Sequence, residues 1–113
     1  MRRLLPPVLV ASLLLAACSV DLAVEGAALA KDIGCLSCHT EVSNDLAPTL
    51  NGLWESQVPL ADGTTVVADA EYVRRAIVNP PSDVVAGWDA TMPAFYLDQE
   101  EVDQLVEYVR SLG

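Results

Sequence analysis

Residues 35–39 read Cys-Leu-Ser-Cys-His, and His39 is the only histidine in the 113-residue chain. Two cysteines separated by two residues and followed at once by histidine form the attachment signature of a c-type haem. Each thiol can add across one vinyl group of the macrocycle. The spacing sets both sulfurs under one edge, and the adjoining imidazole can offer a neutral nitrogen to the iron. A flat apolar plate held in this way dictates what the rest of the chain must do, which is to enclose it. Two rival chemistries use the same residues. A structural zinc site takes about four cysteine, histidine or carboxylate ligands, and the third cysteine, Cys18, lies far upstream. A thiol–disulfide C-x-x-C belongs beside a βαβ pattern, which this sequence lacks.

The chain opens with Arg2 and Arg3, then Leu4-Leu5-Pro6-Pro7, then an apolar run from Val8 to Ala17. This is the order of a targeting signal: charge, apolar stretch, small residues. A membrane-spanning helix wants about 20 apolar residues, and Pro6-Pro7 interrupts this one near its start. Leu15-Ala16-Ala17-Cys18 resembles the lipobox of bacterial lipoproteins, which implies cleavage before Cys18 and acylation of that cysteine. The alternative is an ordinary secretory peptide with a chance cysteine. The expected organisation is a lipoprotein signal peptide over 1–17, a short lipidated linker over 18–21 and one domain over 22–113. The odd cysteine count then closes, with two thiols for haem and one for lipid.

Without residues 1–17, four basic residues (Lys31, Arg74, Arg75 and Arg110) face sixteen acidic ones, a formal charge of 4 − 16 = −12. Phosphate backbones are bound by basic patches, so nucleic acid is excluded as a partner. A chain of this length makes one small domain. Domains of this size bury a limited core and often need a staple, and a covalently held haem is one.

Periodicity divides that domain. Leu22, Gly26, Leu29 and Ile33 fall at helical intervals, which predicts a helix ending at a left-handed Gly34 that turns the chain into Cys35. Gly26 fits either a close helix approach or a merely tolerated glycine. Thr40 to Asp45 is polar loop. Val58 to Val67 alternates around Asp62-Gly63, the dipeptide of two-residue hairpin turns, and predicts a small two-stranded ornament. Asp69 is an expected N-cap with Glu71 in the first turn, and Asn79-Pro80-Pro81 ends that helix. A long loop follows over 82–97. Asp98 and Glu101 then form an expected capping box before a helix with Val102, Leu105, Val106, Val109 and Leu112 on one face.

Two further residues bear on the haem. The carbonyl of Pro48 is well placed to accept the other ring N–H of His39, since ligating imidazoles usually give that proton to a carbonyl or carboxylate. The alternative is a proline that only breaks a loop. Met92 is the only methionine besides Met1, 53 residues beyond His39 (92 − 39), in the long loop and followed by Pro93. Its thioether suits haem iron and no second histidine competes. The alternative is core filling.

Gly34 to His39, Ala47-Pro48-Thr49-Leu50-Asn51-Gly52-Leu53, Thr91-Met92-Pro93 and the closing helix together resemble class I cytochrome c domains. More closely, Val58 to Gly63, Ala68 to Tyr72, Ile77 to Pro80 and Val84 to Trp88 are similar to the haem c domain fused to subunit II of some bacterial haem–copper oxidases. The resemblance covers about residues 22–112. It implies an all-α class I cytochrome c fold, about three to five helices around one covalently bound haem c, with a small β-hairpin excursion. It implies that Cys35 and Cys38 hold the haem and that His39 and Met92 are the axial ligands of the iron. It makes Gly26 and Tyr108 candidates for the crossing of the terminal helices. Trp88 matches a position where an aromatic lies near a haem propionate. The oxidase subunit also carries a copper domain and membrane helices; this chain has no further histidine or cysteine cluster for copper, so it looks like a freestanding version.

The expected function is electron transfer, not enzymatic catalysis: a monohaem carrier of single electrons in a membrane-associated respiratory chain. The expected partners are redox proteins, a terminal oxidase or a quinol-oxidising complex, and a membrane reached through the lipid anchor. No small-molecule substrate is expected. The expected location is the bacterial cell envelope, on the periplasmic or extracytoplasmic side. One alternative is a fixed haem c subunit of a larger oxidoreductase. Another is a haem peroxidase or gas sensor, which would need an open position at the iron.

Overall fold

Gly26 decides how the two ends of the domain meet. In the computed structural model, which describes residues 21–113 except residue 90, residues 21–32 form the described part of a helix, α1. A Cβ built on Gly26 would lie 1.9 Å from the backbone oxygen of Gln104 and 2.8 Å from Tyr108 Cβ. No side chain fits there, so the glycine marks a close helix crossing, as the pairing with Tyr108 implied. Ala30, one turn on, is 1 % exposed, and Gln104 Nε2 donates to Glu25 Oε2 at 2.9 Å across the same crossing. The expected signal peptide, Cys18 and residues 19–20 of the expected linker lie outside the described residues.

Gly34 has φ 91° and ends α1 in the left-handed conformation, which a residue without a Cβ adopts readily. The chain passes directly into α2, one helical turn over Cys35–Cys38. A loop over 40–56 leads to β1 (Gln57–Pro59) and β2 (Thr65–Val67), an antiparallel pair with Val58 opposite Val66. Helix α3 (Ala70–Val78) starts where the Asp69 carboxylate accepts the Tyr72 N–H at 2.9 Å. It stops at Asn79, and Pro80–Ser82 forms a short 3-10 turn with proline at its start. Helix α4 (Gln99–Ser111) carries both halves of the capping box: Glu101 N–H donates to Asp98 Oδ1 and Asp98 N–H donates to Glu101 Oε2. The described architecture is helical with one small sheet, as expected.

The core gathers Val102, Val106 and Val109 of α4, Tyr72 and Val73 of α3, Ala68, and Val58 and Leu60 of the hairpin. The valine spacing on α4 is that of a single helix face. Two features of the hairpin differ from expectation. It is not an ornament, because Val58 and Leu60 are 6 % and 7 % exposed and sit in the main core. Its turn is also one residue longer than the dipeptide suggests. Leu60 N–H donates to Thr64 O at 2.8 Å and Gly63 N–H to Leu60 O at 3.0 Å, so the loop is Ala61-Asp62-Gly63, with only Gly63 at positive φ. A two-residue type I′ turn would need positive φ at Asp62 as well. Instead its carboxylate accepts from the Thr64 N–H and hydroxyl, at 2.9 and 2.6 Å.

The long segment after α3 is tethered to this hairpin. Leu60 bridges to Val85, Ala61 N–H donates to Val84 O, and Ala86 N–H donates to Pro59 O. The chain's end is tied to the loop before β1: Gly52 and Trp54 donate their N–H groups to Leu112 O and Gly113 O. The Arg110 guanidinium lies 5.5 Å from the Trp54 ring centroid, within cation–π range.

Candidate functional site

Helix α2 is only one turn long, which is what the site needs. Residues three apart on a helix are neighbours on one face, so the turn brings the side chains of Cys35 and Cys38 to the same side. Cys35 is half-buried and Cys38 exposed, and neither forms a disulfide. Burial is the main cause that pushes the Cys35 thiol above its ordinary range. The His39 N–H closes the turn on Cys35 O at 3.0 Å, which fixes the histidine backbone against the first cysteine.

The His39 ring is fixed from the other side. Its Nδ1 lies 2.7 Å from Pro48 O. A carbonyl only accepts, so Nδ1 carries the proton and donates, and in the neutral ring Nε2 keeps the lone pair. This is the tautomer a metal-ligating imidazole uses. Pro48 therefore does more than break a loop.

The loop from 40 to 51 is held by polar side chains. Thr49 Oγ1 donates to Glu41 O at 2.9 Å, and Asn51 Nδ2 reaches the same oxygen at 3.2 Å. Thr49 N–H donates to Ser43 Oγ at 2.9 Å. Asn44 makes the most contacts. Its Nδ2 donates to Cys38 O and Thr40 Oγ1, and its Oδ1 accepts from the Leu46 and Ala47 N–H groups. Sequence reasoning gives residues 40–45 only as polar loop. Asn44 was visible as a residue that bonds nearby backbone, but its partners were not.

Trp88 comes from 44 residues further along. Its indole Nε1 donates to the main-chain oxygen of Asn44 at 2.8 Å. An indole has one donor, and this one is committed to the protein. Ser43, Asn44, Asp45, Gly87, Trp88 and Asp89 line an open cleft of ≈ 490 Å³ between the two segments. Met92 is half-buried on the irregular stretch 91–98 that leads into α4.

Among the described residues no three histidine, cysteine or carboxylate side chains converge as metal ligands. The sheet is a single antiparallel pair, so the βαβ setting of a thiol–disulfide site is absent from those residues too. What fits is a haem. Two thiols share one helical turn, the next residue is an imidazole with its proton held by a carbonyl, and Leu50, Leu53 and Leu97 are apolar and only partly buried against the core.

The fold and the site thus define a small helical protein of the kind that holds haem through C-x-x-C-H. The chain belongs to the cytochrome c family, whose model, described as Cytochrome c, matches residues 23–113. Its architecture is the class I fold with a small hairpin, its cofactor is covalently bound haem c, and it is an electron-transfer protein. A search among curated proteins returned no match.

Proposed function

We propose that this chain is a monohaem, lipid-anchored carrier of single electrons in a membrane-associated respiratory chain. Cys35 and Cys38 hold the haem by two thioethers, and His39 Nε2 and Met92 occupy the axial positions. The observation that carries the ligand assignment is the 2.7 Å bond from His39 Nδ1–H to Pro48 O. That bond sets the tautomer, restricts rotation of the ring and raises the basicity of the opposite nitrogen. When bound, haem c supplies a one-electron ferric–ferrous couple. The protein's part is to keep the ligands fixed in both oxidation states and to exclude exogenous ligands. With the Trp88 indole proton on Asn44, Trp88 contributes its ring to the cleft wall rather than a hydrogen bond to a propionate.

Cys18 carries the anchor and places the domain on the extracytoplasmic side of a bacterial membrane, within reach of a terminal oxidase or a quinol-oxidising complex. In support, Leu15-Ala16-Ala17-Cys18 lies at the end of the apolar run and only a few residues before the domain. The relation to the haem c domain of oxidase subunit II belongs to the same reading. Intact mass of the protein matured in a haem-attaching bacterium tests it. One haem adduct is expected, lost when Cys35 and Cys38 are both replaced by serine. Cys18→Ala is expected to release the loaded domain from membranes. A wild-type mass without haem would overturn the ligation, and a Cys18→Ala protein still membrane-bound in high salt would overturn the anchor.

A further inference from the structure

Asn44 uses everything it has. A primary amide offers two N–H donors and two carbonyl lone pairs, and all four are engaged. Nδ2 donates to Cys38 O at 3.0 Å and to Thr40 Oγ1 at 2.8 Å. Oδ1 accepts from Leu46 N–H at 2.7 Å and Ala47 N–H at 3.1 Å. Its main-chain N–H donates to Ala47 O at 3.1 Å, and its main-chain oxygen takes the Trp88 indole proton at 2.8 Å.

These contacts fall on either side of one other bond. Cys38 immediately precedes His39, and Ala47 immediately precedes Pro48. One planar side chain therefore joins the segment that carries the imidazole to the segment that carries its acceptor carbonyl. The 2.7 Å from His39 Nδ1 to Pro48 O spans that same gap. The loop between them has no regular secondary structure, so its own backbone does not fix the separation. Trp88 ties the unit to the segment around Val85, which is paired with the hairpin.

We propose that Asn44 is the positioning residue for the haem-ligating histidine: it sets the His39–Pro48 hydrogen bond and through it the reduction potential. Asn44 makes no hydrogen bond to the imidazole ring; it acts through the segments that carry the ring and its acceptor carbonyl. Loosening the bond makes the imidazole a poorer donor, stabilises ferric iron less and moves the potential upward.

The test uses the full haem-loaded chain. In the reduced protein, the exchange rate of the His39 ring N–H is followed by NMR, and the potential is measured by redox titration. Asn44→Ala is expected to speed ring N–H exchange about fivefold or more, the equivalent of one ordinary hydrogen bond, and to raise the potential. Asn44→Asp keeps Oδ1 for the two amides but loses both donors and sets an oxygen against Cys38 O. It is expected to shift both readouts in the same direction, and it decides the matter should the alanine variant accumulate no loaded protein. Val106→Ala, a core truncation in α4, reports on stability alone and is expected to lower the melting temperature with ring exchange and potential unchanged.

The inference rests on the ligation proposed above, yet the two fail differently. A wild-type chain without covalent haem overturns the ligation. Loaded wild-type and Asn44-variant proteins with equal ring exchange and equal potential overturn the role of Asn44. Ring exchange and potential that move as far in Val106→Ala as in the Asn44 variants reduce Asn44 to a structural residue, and also overturn the proposal.

Discussion

A histidine with its Nδ1 proton held by a carbonyl has one nitrogen left to give, and in this chain no second histidine competes for the other side of the iron. The proposed sixth ligand, Met92, sits on an irregular stretch and is followed by Pro93, whose fixed φ limits the excursions of the thioether. Met92→Ala is expected to leave the haem covalently attached, because the cysteines lie on α2. It should open a position at the iron, allow carbon monoxide to bind the reduced protein, and lower the potential, since a thioether favours the ferrous state. A variant with an unchanged spectrum and no carbon monoxide binding would remove Met92 from the ligand set. At this scale the sequence was most informative where chemistry is local. The C-x-x-C-H pentapeptide and the Pro48 carbonyl, nine residues from His39, could both be read from types and spacing. The role of Asn44 could not, because it depends on which backbone groups a folded loop brings within hydrogen-bond distance, and loops of this kind carry no periodicity. The Trp88–Asn44 bond, spanning 44 residues, was out of reach for the same reason.

Among the elements, the start of α4 followed from its capping box, and α3 followed at both ends, from the Asp69 cap and from Asn79-Pro80-Pro81. The hairpin shows where such reasoning stops. Asp62-Gly63 named the turn, but the choice between two and three loop residues rests on which positions take positive φ and on a side-chain bond to Thr64. That bond gives a pH dependence. The Asp62 carboxyl is held below its ordinary value chiefly by its side-chain and backbone hydrogen bonds from Thr64. The folded-state pKa is therefore the lower one, so the stabilisation is present above the unfolded value, about 3.9, and is lost as pH falls through the folded one. Asp62→Asn retains an acceptor without the charge. It is expected to flatten this part of the acid limb, and urea midpoints measured between pH 5 and pH 3 would reveal it; parallel curves for the two proteins would show that ionisation of Asp62 does not strengthen the turn. The α1–α4 crossing makes a firmer demand. At 1.9 Å the obstacle to a Cβ on Gly26 is backbone, the Gln104 oxygen, which cannot rotate away. Gly26→Ala should gain about 1 kcal/mol of helix propensity and still be destabilised, since separating the helices costs about 1–3 kcal/mol and also disturbs the Glu25–Gln104 contact. Thermal unfolding that shows the alanine variant as stable as wild type would mean that the helices part without loss.

For the molecule as a whole the field is one-sided. Residues 21–113 hold all sixteen acidic side chains and four basic ones. Three of those four are already engaged: Arg74 with Asp103, Arg75 with Asp83, and Arg110 with Glu107. Lys31 is the one cation without an ion pair among the described residues, and it stands four residues before Cys35. Around α2 the exposed charges are Lys31, Asp32, Glu41 and Asp45, acidic in balance. Such a surface steers encounter with a basic docking face, and the charges beside the turn should weigh more than Glu100 at the start of α4. Exposed Val42 and Leu46, at 75 % and 56 %, flank the same loop and offer an apolar contact once the partners meet. The two contributions respond differently to salt. Charges on an exposed surface are screened beyond about 8 Å at 0.15 M ionic strength, whereas apolar burial is not weakened by screening. The bimolecular rate of electron transfer to a basic redox partner is therefore expected to fall steadily as salt is raised, and Glu41→Gln should reduce both the rate at low salt and the slope of that fall. A rate that stays flat or rises through the titration would assign the encounter to the apolar contact and leave the acidic surface to solubility alone.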